Sequence, residues 1–249
     1  MIKLIIFDLD GPILDSLSKS QESVLQGIKK LIRNGTPPQK VRITEETFVK
    51  HWGYPGLKTS KLMFPTLNKK ELTVITDCWR KNELKGKIPL VRGALKTLKT
   101  MRKKGFFTAL LTARFENLEF HLRKYSLENL FDIVQSWRPA TLPLNSKIKP
   151  EKIHKNHIFC HHHKPDPRAL NPILKWARKR GIFKKEMVMI DDTLVGLEAA
   201  KNSNILFLGV CTGPMNSKEK WQKFGKLNKN YVISSIAELP GWLKKCAGT

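Results

Sequence analysis

Cysteine is scarce: the 249 residues hold four, Cys78, Cys160, Cys211 and Cys246, far apart and without a C-x-x-C pair. That spacing argues against a zinc ribbon and against a disulfide framework, so free thiols in a reducing compartment are expected. No run approaches the ~20 apolar residues that a membrane-spanning helix needs. The one strongly apolar N-terminal run is broken by Asp8 and Asp10 and is followed by no small-residue cleavage site, which argues against a secretory leader. A soluble, cytoplasmic protein with no membrane partner is the expectation. Acidic residues are also few, with 21 Asp plus Glu against 46 Lys plus Arg, a formal charge of +25. A field of that sign attracts nucleic acid, anionic surfaces or phosphorylated small molecules. Yet clusters such as Lys29-Lys30, Arg102-Lys103-Lys104 and Arg178-Lys179-Arg180 fall near expected helix C-termini, where cations complement the helix dipole. Dispersed, solvated lysines are the favoured reading, and a nucleic-acid partner is the alternative that the charge allows.

What is present is a globular composition, with 41% hydrophobic residues and six tryptophans. The chain is long enough for one domain with a large insertion, or for two domains. Strand and helix signals alternate from residue 89 onward, the mark of an α/β sheet with helical crossovers. Strands are predicted at Phe106 to Leu111, Phe131 to Val134, Met187 to Ile190, Ile205 to Val210 and Tyr231 to Ile233. Helices are predicted at Ala94 to Met101, Glu116 to Lys124, Pro167 to Arg180 and Val195 to Asn202. Residues 15–88 differ, having helical periodicity and no convincing strand. Leu17, Val24, Leu25, Ile28, Leu31 and Ile32 mark one apolar helix face, and Thr44 to His51 and Lys69 to Leu84 are further helices, separated by Gly53, Pro55, Gly56 and Pro65. The expected organisation is a core of residues 1–14 and 89–249 with an all-helical insertion at 15–88 acting as a lid. Residues 137–160, rich in Pro, Lys and His, read as a surface loop or hairpin.

The first sixteen residues, MIKLIIFDLDGPILDS, carry most of the information. An unbroken run of Ile, Leu and Phe is expected of a strand buried on both faces, and this one stops at Asp8 and Asp10. In open parallel sheets ligands bind beyond the carboxyl ends of strands, and Gly11 lets the backbone turn there. Taken alone, D-x-D-G could be an Asx turn. Three further polar signals follow, each at or just beyond an expected strand end: Thr112, Lys164 and Asp191-Asp192. Singly, Thr112 could cap a helix, Lys164 could be a surface lysine, and the acid pair could be a helix N-cap. Jointly they favour a site.

In that order the four motifs, Phe7-Asp-Leu-Asp-Gly-Pro-Ile-Leu-Asp-Ser16, Leu110-Leu-Thr-Ala113, Lys164-Pro-Asp-Pro167 and Met189-Ile-Asp-Asp-Thr193, resemble those of the haloacid dehalogenase superfamily. The pattern looks like the phosphoglycolate phosphatase branch with a helical cap. The resemblance implies a Rossmann-like parallel sheet with helices on both faces and a Mg²⁺-dependent phosphomonoester phosphatase acting on a small phosphorylated metabolite, phosphoglycolate-like or a sugar phosphate. It implies Asp8 as the nucleophile of an aspartyl-phosphate and Asp10 as acid/base. The metal would lie on the Asp8 side chain, the Asp10 carbonyl and the acids Asp191 and Asp192. Thr112, Lys164 and backbone N–H groups around Leu9, Gly11 and Ala113 would hold the phosphoryl oxygens. Within the same superfamily a phosphomutase is the runner-up; a nucleic-acid-binding protein acting on phosphorylated ends, or with a vestigial site, is the rival of another class.

Two departures stand out: Pro12 where Thr is common, and Gly196 where a second acid is common. Arg114, two residues after Thr112, is a candidate for substrate phosphate or carboxylate. His161-His162-His163 cannot all ligate one ion if they lie on a strand, whose residues alternate in direction. Trp52 and Tyr54, beside Lys58 and Lys61, are expected to pack between lid helices rather than to grip substrate.

Overall fold

The opening apolar run forms β1 (Leu4–Phe7), and all four residues are buried. Leu4 and Ile6 enter one hydrophobic cluster, Ile5 and Phe7 another on the opposite face of the sheet. Two covered faces are why the strand reads as continuous hydrophobicity rather than alternation. The computed structural model describes residues 1–85, 88–114, 117–138 and 156–247.

After β1 come α1 (Leu17–Arg33), α2 (Glu45–His51), α3 (Gly56–Met63) and α4 (Lys69–Lys85). The alternating segment follows: α5 (Ala94–Lys103), β2 (Phe107–Thr112), α6 (Leu118–Lys124), β3 (Ile133–Trp137), β4 (His157–Cys160), α7 (Asn171–Arg178), β5 (Met187–Asp191), α8 (Leu194–Asn202), β6 (Leu206–Val210), α9 (Lys218–Gly225), β7 (Val232–Ile233) and α10 (Leu239–Ala247). Among the described residues, seven strands make one sheet in the order β4-β3-β2-β1-β5-β6-β7. Every pairing is parallel, with Phe7 opposite both Leu110 and Ile190. The expected α/β architecture is therefore present, with the first strand at the centre.

The four helices between β1 and α5 have a hydrophobic cluster of their own, including Val24, Leu31, Met63, Phe64 and Ile75. The Gly53–Gly56 breakers do separate helices, but α3 begins at Gly56 itself, a helix the punctuation concealed. Other differences are equally local. The predicted helix over 167–180 is a 3₁₀ turn at Pro167–Leu170 followed by α7, because the proline-rich start favours a tight turn. The predicted strand at Phe131 to Val134 moves to Ile133–Trp137, Phe131 being a buried anchor before it. β4, inside the stretch read as an irregular loop, pairs with β3 at the sheet edge. Residues 139–155 of that stretch lie outside the described residues. Basic residues do close many helices, among them Lys30 and Arg33 of α1, Arg102 and Lys103 of α5, and Lys201 of α8. No helix among the described residues is long and apolar enough to cross a membrane.

Candidate active site

The parallel register brings the carboxyl ends of β1, β2 and β5 side by side, so Asp8, Thr112 and Asp191 lie along one edge of the sheet although they are far apart in sequence. Lys164 arrives from the loop after β4 and is 3% exposed. Its Nζ lies 2.8 Å from Asp8 Oδ2 and 2.5 Å from Asp191 Oδ2. A buried ammonium is costly unless paired. Here burial acts to lower its proton affinity, and the two carboxylates overcome that and raise it. Lys164 is a charged bridge, not a surface lysine.

The acid pair at the end of β5 divides into two environments. Asp191 Oδ1 accepts hydrogen bonds from Thr193 N–H at 2.9 Å and Thr193 Oγ1 at 2.7 Å, while its other oxygen meets Lys164. Gly196 is close by: a Cβ there would fall 2.1 Å from Asp191 Cγ, so this carboxylate already fills the space a second acid would need. Asp192 is buried as well, and its Oδ1 has no hydrogen-bond partner among the described residues. Its carboxylate is held between two backbones. A Cβ at Gly11 would come within 1.9 Å of Asp192 Oδ2, and one at Gly213 within 1.8 Å. Gly11, at φ +104°, also makes the turn that carries the chain away from β1.

Carboxylate oxygens of Asp8, Asp191 and Asp192 all lie within 4.8 Å of one another. Burial raises the Asp8 carboxyl, Lys164 pulls it back and Asp191 adds to the rise. Asp192 is raised well above the usual range by burial and by Asp191 and Asp8. Three carboxylates against one ammonium leave room for the charge of a divalent cation, and hard oxygen donors suit Mg²⁺ or Ca²⁺. The orphaned Asp192 Oδ1 and the crowding of like charges fit such an ion.

The second acid of the first motif has a cationic partner of its own. Arg114 grips Asp10 through two hydrogen bonds, Nε to Oδ2 at 3.0 Å and Nη2 to Oδ1 at 2.7 Å. Partial burial acts to raise the Asp10 carboxyl, and the guanidinium outweighs it and holds the group below its ordinary value. Thr112 Oγ1 accepts the Arg114 backbone N–H at 3.0 Å, which leaves the hydroxyl proton to donate. The Arg114 guanidinium, a candidate for a substrate anion, is thus paired with Asp10 in this structure.

Two of the three expected backbone donors are also engaged. Leu9 N–H donates to Asp8 Oδ1 at 2.8 Å and Gly11 N–H to Leu14 O at 2.8 Å. In this structure those two donors hold the loop and orient Asp8. Ala113 N–H makes no hydrogen bond among the described residues. Sequence reasoning missed Thr193, which fixes Asp191, and Gly213, which admits Asp192. The T-x-x-G spacing of an N-capped helix was a usable signal for Thr193; nothing in the local sequence marks Gly213.

The helical insertion reaches this end of the sheet. Glu45 on α2 pairs with Lys220 on α9 at 2.7 Å, and Val49 enters the cluster beneath it. Gly53 lies against Thr193, and the Tyr54 ring stands edge-on to His163 at 5.9 Å with Lys58 Nζ 4.3 Å from its centroid. Trp52 does pack inside the insertion, stacked on Trp79 at 5.3 Å, whereas Tyr54 faces the sheet end. The three consecutive histidines lie beyond β4, not on it. His161 bonds Arg138 O, His162 pairs with Asp166 and His163 bonds Lys164 O, so their rings serve separate contacts.

No curated protein matches the sequence. Solved structures do match in fold. A predicted phosphoglycolate phosphatase from Haemophilus somnus superposes with a TM-score of 0.66 at 16% identity, covering 96% of this chain and 97% of its own. A β-phosphoglucomutase from Clostridium difficile gives 0.65 at 17% identity with 100% of both chains covered. A haloacid dehalogenase superfamily hydrolase, subfamily IA, from Geobacter sulfurreducens gives 0.56 at 20% identity, covering 97% and 96%. The family model for haloacid dehalogenase-like hydrolases matches residues 2–204, so by its sequence as well as its fold the chain belongs to the haloacid dehalogenase-like hydrolase family.

Proposed function

We propose that this hydrolase is a Mg²⁺-dependent phosphatase of small phosphomonoesters, with residues 15–88 as its cap. The observation that carries the reading is the Lys164 bridge between Asp8 and Asp191 beside the unpartnered Asp192 Oδ1: a nucleophile, a cation for phosphoryl charge and an open carboxylate ligand share one buried site. Asp8, the Asp10 carbonyl and Asp192 would hold the metal, with Asp191 behind them. Asp192 is the direct ligand of the acid pair, because both Asp191 oxygens are already engaged by Thr193 and Lys164. When bound, the ion supplies charge neutralisation between the carboxylate and the phosphate.

The chain's own residues account for the rest. Asp8 Oδ attacks phosphorus, the bond to the leaving oxygen breaks, and an aspartyl-phosphate forms. Asp10 gives a proton to the departing alkoxide and takes one from the water that then attacks phosphorus, regenerating Asp8 and releasing phosphate. Lys164 and the Thr112 hydroxyl stabilise the equatorial oxygens, joined by Ala113 N–H. The cap contributes Tyr54 and Lys58 to the mouth of the site, where they select the group that departs and exclude water.

The test is phosphate release from a panel of phosphomonoesters with and without Mg²⁺, beside Asp8→Asn. Metal-dependent release that the variant loses is expected; no release from any ester, or an equally active variant, overturns the reading. The fold shared with a β-phosphoglucomutase makes a phosphomutase the second reading, distinguished by isomerised sugar phosphate in place of free phosphate.

A further inference from the structure

We propose that Arg114 is the positioning residue for Asp10, holding its carboxylate in the one orientation from which it serves the leaving oxygen; this rests on the phosphatase reading above. Asp10 lies on a loop that ends one strand and could point several ways. Two parallel N–H···O bonds to a planar guanidinium remove that freedom, since a bidentate pair fixes direction as well as distance. Arg114 can impose an orientation because it is itself held. Its side chain is 6% exposed, and its backbone N–H is tied to Thr112 Oγ1. The same short segment therefore ties together the phosphoryl-binding hydroxyl and the acid/base. His121 of α6 is fully buried and close enough to both charges to feel them.

A structural ion pair, a substrate-binding arginine and a positioning arginine make different kinetic demands. Proton donation by Asp10 matters for an alkyl phosphate, whose leaving alkoxide is strongly basic, and hardly at all for p-nitrophenyl phosphate, whose phenolate departs unprotonated. The ratio of kcat/KM between these two esters reports the acid role alone, since kcat/KM covers steps only as far as departure of the leaving group. If Arg114 works through Asp10, Arg114→Met raises the ratio in favour of p-nitrophenyl phosphate by about tenfold or more. Asp10→Asn raises it likewise, and the double variant goes no further than Asp10→Asn, because the two residues act as a unit. Arg114→Lys, which keeps the charge and loses the fork, falls between wild type and Arg114→Met. An equal loss on both esters, or additive effects in the double variant, overturns the proposal while leaving the phosphatase reading intact. Should Arg114→Met not fold, as shown by thermal unfolding, Arg114→Lys carries the test: an unchanged ratio in that variant overturns the proposal. A wild type that releases phosphate from neither ester overturns the phosphatase reading instead.

Discussion

Asp192 occupies the space that a side chain on Gly213 would need, with the missing Cβ only 1.8 Å from its Oδ2. A loop after β6 therefore controls an acid after β5. Gly213→Ala is expected to push Asp192 out of place and weaken Mg²⁺ binding by about 10- to 100-fold, as supporting contacts to metal ligands do. Titration calorimetry with Mg²⁺ checks it. Unchanged affinity would show that Asp192 is not held by this contact.

The two members of the acid pair should respond differently. Asp192→Asn removes an open ligand and is expected to abolish measurable Mg²⁺ binding with little loss of stability, since no hydrogen bond to Asp192 Oδ1 is broken. Asp191→Asn can keep both Thr193 bonds on its remaining carbonyl oxygen but turns an NH₂ towards the Lys164 ammonium, and should lower stability by about 3 kcal/mol, the scale of breaking a buried ion pair. Denaturant melts beside metal titrations separate the two outcomes.

Removing Lys164 leaves Asp8 and Asp191 buried without their ammonium. Lys164→Met should cost about 10² or more in kcat, the scale of losing one preorganised charge on a developing transition state. The Asp8 carboxyl of the variant is also expected to titrate higher than in wild type, because it loses the ammonium that pulls its proton affinity down. Steady-state kinetics and a potentiometric comparison with wild type measure both.

His121 sets a pH dependence of stability. Its ring is fully buried, and burial, then the Arg114 charge, lower it from 6.5 to about 4, with Asp10 opposing. Lys124 adds a further small push downward. Below pH 6.5 the unfolded chain gains a proton that the folded chain refuses, so this contribution is complete above 6.5 and is lost as pH falls towards 4. The full loss is about 3 kcal/mol, from 2.5 pH units of separation between the two values. His121→Phe should flatten the difference in stability between pH 7 and pH 4.5. A variant whose pH profile matches wild type would show the ring titrating normally.

Much of the architecture was legible beforehand. Ile5 and Phe7 against Leu4 and Ile6 announced a strand covered on both faces, and the alternation after residue 89 announced parallel crossovers. What was missed is local or edge-bound. α3 hides behind Gly53 and Pro55, and β4 is a four-residue edge strand with mixed exposure whose signal is weak by itself.

The sequence by itself determined the chemistry available: apolar runs that end in Asp8, Thr112 and Asp191, because burial on two faces demands continuous hydrophobicity and leaves polar groups only at strand ends. Only the tertiary structure decided their roles. Strand order set β5 beside β1, so Lys164 could bridge two acids; the glycines of two separate loops left Asp192 its space; and the fold brought Arg114 across 104 residues of chain onto Asp10. Such pairings depend on which backbones approach closely, and closeness in a parallel sheet is fixed by strand order, not by distance along the chain.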